Sequence, residues 1–324
     1  MCTAISFNSN NHYFGRNLDL EYRYNEQVVI TPRNYILRYK SGEIERKHFA
    51  FIGTAMVIDD YPLYYDATNE HGLSIAGLNF VGNAFLHEKH QKGKINLAPY
   101  ELIPYILGKC KTVAESKDYL NQIELVDTRF INHLPNAELH WMISDKKETL
   151  TLEFVKDGLK IYDNPVGILT NNPPFDFHMM NLNNYMCIST DEPHNNFSDK
   201  VNMNIYSKGM GGIGLPGDFS SASRFIKAAF VKLNSVVLQN ENDSVCQMFH
   251  ILSSVEQPEG SVRVGNKFEK TQYASCCNTD KGIYYYRTYN NHQITAISMF
   301  NEELNYEHLI SYKMIFEEQI KYAN

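Results

Sequence analysis

The sequence predicts an α+β fold, with helices gathered in blocks between runs of strands. Three observations point to it. Alternating or β-rich stretches with turn punctuation dominate the first eighty residues, the hydrophobic period turns helical only near 98–125 and near 221–255, and strand patterning returns after each block. A regular strand-helix alternation, the mark of a parallel sheet, is not the pattern.

Taken in order, strands are expected at Thr3 to Phe7, His12 to Arg16, Gln27 to Thr31, Phe49 to Ile58, Leu63 to Ala67 and Leu73 to Asn79. Thr112 and Glu115 then form a T-x-x-E capping box, opening a helix whose Ala114, Tyr119, Leu120 and Ile123 are expected to face a core. Leu139 to Ser144 and Thr149 to Val155 flank a charged turn, and Asp157-Gly158 predicts a hairpin into Leu159 to Tyr162. A helix over about Ser221 to Leu233 is followed by one at Ser244 to Val255, where Val245, Met248, Phe249 and Leu252 keep an i, i+3, i+4, i+7 stripe. Strands at Gln272 to Cys277, Gly282 to Tyr289 and Gln293 to Met299 complete the pattern. No repeat, low-complexity tract or linker divides the 324 residues, so one continuous domain over 1–324 is expected.

Composition narrows the function. Hydrophobic residues make up 43% and charged residues 21%, which excludes a disordered or collagenous chain. Thirty Lys and Arg against 37 Asp and Glu give a net charge of −7, the wrong sign for a duplex-binding surface. The first ten residues carry no basic start, apolar stretch or cleavage site, and no later apolar run approaches the roughly 18 residues of a membrane span, so a cytoplasmic location is expected. The six cysteines would then be thiols, leaving one free to serve as a nucleophile.

Cys2 is the most informative of them. Removal of Met1 would leave one residue bearing both a thiol and a free α-amine, and an amine titrating near 8 suits a thiol titrating near 8.5 as its base. A small residue at position 2 also serves simply to let Met1 be trimmed, so the neighbours must decide. Gly15-Arg16-Asn17-Leu18-Asp19 lies one hairpin away and offers a cation to favour thiolate and a carboxylate to hold the amine. A spacing of three places Arg16 and Asp19 on opposite faces of an ideal strand, so both reach Cys2 only if the chain bends or bulges near Asn17. Asn79 and Asn171 are candidate donors to the oxyanion of amide cleavage, with turn formation the other reading for the Asn171-Asn172-Pro173 segment. Arg224 lies in a first helical turn, where the helix dipole disfavours a cation.

Other literal matches fail on context. Gly209-x-Gly211-x-x-Gly214 lacks the strand-to-helix setting of a dinucleotide site because Pro216 interrupts it, and His87-Glu88-Lys89-His90 is one residue short of zinc-protease spacing. Cys276 and Cys277 are adjacent on an expected strand, which makes them poor joint ligands.

Taken together, Met1-Cys2-Thr3, the 15–19 segment, Ala76-Gly77-Leu78-Asn79-Phe80, Leu169-Thr170-Asn171-Asn172-Pro173 and Gly214-Leu215-Pro216-Gly217-Asp218 through Arg224-Phe225 resemble the choloylglycine hydrolase family. The likeness spans nearly the whole chain in order. Tyr61 to Asp66, Leu139-His140-Trp141 and Tyr162 to Gly167 extend it. Within the family the sequence resembles most the bile salt hydrolases of Gram-positive gut bacteria, with the penicillin V acylases as cousins.

The resemblance implies an N-terminal-nucleophile (Ntn) hydrolase fold, an αββα sandwich of two stacked antiparallel sheets between helical layers. It also implies cleavage of the amide joining a bile acid to glycine or taurine. In that scheme Cys2 attacks, Asn79 and Asn171 receive the oxyanion, Arg16 and Arg224 tune the thiol and brace the site, and Asp19 holds the α-amine; water then cleaves the thioester. No metal or organic cofactor is implied. The partners implied are conjugated bile salts and three further copies of the chain in a homotetramer. Asn79 stands where penicillin V acylases commonly carry Tyr, which tilts the substrate toward bile salts. Penicillin V acylase activity and non-catalytic lipid binding are the alternatives. Leu18, Tyr22, Tyr24, Ile58, Tyr65, Phe130, Ile131 and Leu134 are expected, from loop placement, to form the apolar wall for a steroid.

Overall fold

The computed structural model describes residues Met1 to Asn324. Its elements run β1 (Cys2–Asn8), β2 (His12–Leu20), β3 (Gln27–Thr31), β4 (Leu37–Arg38), β5 (Ile44–Glu45), β6 (Phe51–Ile58), β7 (Tyr61–Asn69), β8 (Ser74–Asn79) and β9 (Ile95–Leu97). Helices α1 (Leu102–Lys109) and α2 (Val113–Leu120) precede β10 (Ile123–Leu125), β11 (Leu139–Ser144), β12 (Thr149–Val155), β13 (Gly158–Asp163) and β14 (Ile168–Leu169). Then come α3 (Phe175–Leu182), α4 (Ser221–Leu233), α5 (Glu241–Ser253), β15 (Val262–Val264), β16 (Lys267–Asn278), β17 (Ile283–Thr288), β18 (Asn291–Ser298) and β19 (Ile310–Lys313).

Two antiparallel sheets organise these strands. One follows the order β14-β1-β2-β16-β17-β18, with β15 on β16, and the other β13-β12-β11-β8-β7-β6-β3-β19. Helices α4 and α5 pack on the first sheet and α1 on the second, giving the αββα layering that was expected. The strands nearest the middle read as nearly unbroken buried runs because both faces are covered: β2 is buried from His12 to Asp19. Two apolar clusters result. One joins the facing surfaces of the sheets to α4 and α5, and the other holds the outer face of the second sheet against α1 and α2.

Close strand approach has a local requirement at Gly15. A Cβ there would lie 1.9 Å from the Ser275 carbonyl oxygen, so any side chain would push β16 away from β2. The α5 stripe of Val245, Met248, Phe249 and Leu252 is buried as predicted, and Asn240 caps its start by accepting from Asp243 N. At α2, Thr112 accepts from Glu115 N, but the Glu115 carboxylate accepts from Lys111 N, one residue before the cap. The buried face of α2 is Val113, Ser116 and Leu120. Ala114 is exposed, contrary to expectation, and Ile123 is buried from β10 because the helix ends before it. No helix is long and apolar enough to cross a membrane.

A buried histidine makes stability depend on pH. His12 faces Ser6 Oγ at 3.0 Å and Thr279 Oγ1 at 2.8 Å, and burial pulls its pKa down from 6.5 to about 4. Between those values the unfolded chain takes a proton that the folded chain refuses. The His12 contribution is therefore intact above pH 6.5 and declines by about 3 kcal/mol as the pH approaches 4. Urea midpoints of wild type and His12→Asn check this: the gap between them should shrink from pH 7 to pH 4.5, and a constant gap rules the linkage out.

Candidate active site

Strand pairing sets the site. Cys2 opens β1 opposite Leu18, and Ala4 pairs with Arg16, so the Cys2 and Arg16 side chains share one face of the first sheet, the face toward the second. Arg16 is fully buried there. Its Nη1 donates to Tyr65 O at 2.8 Å and Gly77 O at 2.7 Å, both in the opposite sheet, while Nε and Nη2 have no partner. Burial works against the charge, but Cys2, Tyr273 and Asp66 outweigh it and hold the Arg16 pKa above the ordinary arginine value.

The other face carries a second group. Arg224, buried in the first turn of α4, donates from Nη1 to Cys2 O at 2.5 Å and Thr3 Oγ1 at 2.6 Å, from Nη2 to Asn171 Oδ1 at 2.8 Å, and from Nε to Phe219 O at 3.0 Å. Its misplacement against the helix dipole is offset by these four acceptors and by Asp19 Oδ2 at 3.9 Å. Asn171 Oδ1 also accepts from Cys2 N at 2.8 Å, and Asn171 Nδ2 donates to Asn79 O at 2.8 Å. Asn171 therefore bridges Cys2, Arg224 and the end of β8.

Asp19 accepts from Thr271 Oγ1 at 2.6 Å through Oδ1, whereas Oδ2 is buried without a hydrogen-bond partner. Burial pushes this carboxyl up, against the pull of Arg224 and the terminal ammonium. The Met1 ammonium lies beside it, donating to Asp19 O and to Glu269 Oε1, each at 2.7 Å. The expected bulge at Asn17 does not occur. β1 and β2 pair in continuous register, and the irregularity sits on β16 between Thr271 and Tyr273. No bend is needed, because the groups to be reached differ: Arg16 shares the thiol's face, while Arg224 reaches Cys2 O from the other and Asp19 stands beside Arg224.

A cavity of about 580 Å³ opens over Cys2, Arg16 and Asn79. Its wall is mostly apolar and includes Leu18, Tyr22, Tyr24, Tyr65, Phe130 and Leu134, as expected. Leu18 and Tyr65 come from β2 and β7 rather than from loops. Ile58 is a correction: it sits at the tip of the β6–β7 hairpin, paired with Tyr61, and Met56 two residues earlier lines the cavity instead. Ile131 does not line it either. The reading also missed Leu20, Leu63 and Tyr100. Leu20 and Leu63 were findable, since each stands two residues from a chosen or motif position on the same strand face. Asn79 ends β8 at the wall, and its side-chain amide makes no hydrogen bond within the chain.

Residues 2–312 match the family described as linear amide C–N hydrolases, choloylglycine hydrolase family. The chain belongs to the choloylglycine hydrolase family. Like other members of this family of linear amide hydrolases, it is an amidohydrolase. It is 53% identical, over the full length of both chains, to a bile salt hydrolase/transferase of Lactiplantibacillus plantarum. Among solved structures it is similar to a variant of the conjugated bile acid hydrolase from Clostridium perfringens, with TM-score 0.93 and 36% identity over all of both chains. The penicillin V acylase of Agrobacterium tumefaciens shares the fold, at TM-score 0.77 and 17% identity over 96% of this chain and 91% of that one. The αββα sandwich described above is thus the Ntn-hydrolase fold of the choloylglycine hydrolases.

Proposed function

We propose that this protein hydrolyses the amide bond of glycine- or taurine-conjugated bile acids, with Cys2 as nucleophile in a chain that starts at Cys2 once Met1 is removed. The observation that carries the reading is the junction of a thiol, a buried guanidinium and an unpaired carboxamide with a largely apolar cavity of about 580 Å³. An amphipathic substrate with a rigid apolar body and one scissile amide suits that junction. The activities that name the bile salt and conjugated bile acid hydrolases it resembles agree.

The residues divide the work as follows. The thiolate of Cys2 attacks the amide carbonyl, with Arg16 favouring the anion from the same face of the sheet. The side-chain amide of Asn79 and the second N–H of Asn171 Nδ2 receive the oxyanion, a contribution of roughly 3 to 4 kcal/mol for one fixed donor. The α-amine of Cys2 relays the proton to the departing amino acid. Asn171 Oδ1 accepts from this nitrogen, and in the trimmed chain the buried carboxylate of Asp19 holds its charged form. Water then cleaves the thioester, returning the thiol and releasing the bile acid.

The test is turnover of taurocholate by protein whose mature N-terminus has been established by intact mass. Taurine release is the expected result, with penicillin V consumed at a lower specificity constant when the two compete in one tube. No release from trimmed protein, or preference for penicillin V, would overturn the reading. The chain acts in this proposal as one domain and as a homotetramer, which light scattering checks.

A further inference from the structure

Arg16 is a cation in the middle of the molecule, and its charge needs an answer. Asp19 and Glu269 lie toward the other face of β2, beside Arg224 and the terminal ammonium. Between the sheets the carboxylate is Asp66, fully buried on β7, next to the Tyr65 whose carbonyl Arg16 holds. Ser275 is the β16 residue in register with Arg16, and its Oγ reaches Asp66 Oδ2 at 3.4 Å, so the carboxylate stands near enough to act on the guanidinium's charge without forming an ion pair with it.

The carboxylate is nonetheless occupied by hydroxyls. Tyr273 OH donates to Oδ1 at 2.8 Å and Tyr284 OH to Oδ2 at 2.7 Å, with Ser275 the third donor. Burial pushes the Asp66 carboxyl up, while the Arg16 charge and three hydroxyl donors on its two oxygens pull the other way and favour the ionised form. Arg16 in turn spends Nη1 on two backbone carbonyls and pairs neither Nε nor Nη2. A bidentate Arg16–Asp66 pair would have consumed those donors. We propose that Asp66, clamped by Tyr273, Tyr284 and Ser275, is the counter-charge of Arg16 and a positioning residue of the site, compensating the cation at a distance while leaving its Nε and Nη2 donors to the Cys2 sulfur.

The charged and titratable surroundings are few. Arg224 and Asp19 act on Cys2 from the opposite face of the sheet. The phenols of Tyr65, Tyr273 and Tyr284 are pushed up by burial and stay protonated, and burial raises the Cys277 thiol to about 12. Glu153, also buried, is paired with His140 and Phe175 N, and Glu26 lies toward Tyr65 and Tyr24, so Asp66 is the carboxylate that acts on Arg16 and restrains how strongly the guanidinium favours thiolate.

The inference rests on Cys2 being the nucleophile, and its experiment separates the two. Iodoacetamide alkylation of Cys2 in the trimmed full chain is followed against pH by peptide mass, which resolves it from the exposed Cys187 and Cys246. With the counter-charge removed, Asp66→Asn should move the Cys2 midpoint down by about one pH unit, and the acid limb of kcat/KM with it. Tyr273→Phe, which weakens the clamp, should move it the same way by a smaller amount, and it serves alone if Asp66→Asn does not fold. An unchanged or raised midpoint in folded variant protein overturns the assignment. Failure of the nucleophile reading shows elsewhere, as taurocholate turnover by Cys2→Ala.

Discussion

Cys2→Ala should lose taurocholate hydrolysis by a factor on the order of 10⁴ or more, because no other group near the cavity replaces the sulfur proposed to form the covalent intermediate. The loss should fall on kcat. The apolar wall remains, and the backbone bonds of residue 2 to Asn171 and Arg224 use its N and O rather than its side chain. Amine-stain detection of taurine, with thermal unfolding as the control for folding, measures the effect. Variant protein that is folded and turns over at the wild-type rate removes Cys2 from the mechanism.

The second large effect is on stability. Arg224→Met removes a donor from four acceptors at once, namely Cys2 O, Thr3 Oγ1, Phe219 O and Asn171 Oδ1, the last of which keeps Cys2 N, and leaves Asp19 buried without its nearest cation. Breaking one side of a buried pair costs about 3 to 5 kcal/mol, even though a matched apolar replacement of both partners costs little. Urea unfolding at pH 7 should show a loss of that size, with activity lost in the protein that remains folded. A compact ammonium cannot copy the fork, so Arg224→Lys should recover only part of it. A loss under about 1 kcal/mol would show that Arg224 is not what joins β1, α4 and the Asn171 segment.

How much of this was legible in the sequence depended on whether a signal was local. Alternation placed β1, β3, β11 and β12 to within a residue, and the α5 stripe was read without error, because each is decided by the residues of the element itself. Helix α3 was missed. It starts after Pro173-Pro174, has no side-chain cap, and buries only Phe175 and His178, too few to write a 3.6-residue period. The strand β14 is two residues long and exists because Ala4 and Ile5 of β1 pair with it.

The site divides in the same way. Cys2, Arg16, Asp19, Asn79, Asn171 and Arg224 stood out from motif and family likeness, and the structure brings them around the start of β1. Thr271, Tyr273 and Tyr284 did not stand out, and Asp66 closed a stretch of family likeness without any role attached to it. Their partners lie 207 to 252 residues away along the chain, and nothing in a lone Asp or Tyr tells that a facing sheet will bury it. Ile58 and Ala114 failed for other reasons: loop placement put Ile58 at the wall although it sits at a hairpin tip, and helical period counted Ala114 inward although α2 buries Val113, Ser116 and Leu120.

The cavity wall draws on two kinds of backbone. The thiol and its guanidinium stand on β1 and β2, locked by strand pairs on both sides, whereas Tyr22, Tyr24, Phe130 and Leu134 stand on connecting segments. Specificity can therefore drift while chemistry stays fixed. A combinatorial library confined to positions 22, 24, 130 and 134 should yield variants with altered acyl preference and undiminished melting temperature, which makes those segments the place to begin when re-engineering the enzyme for a different fatty or steroidal amide.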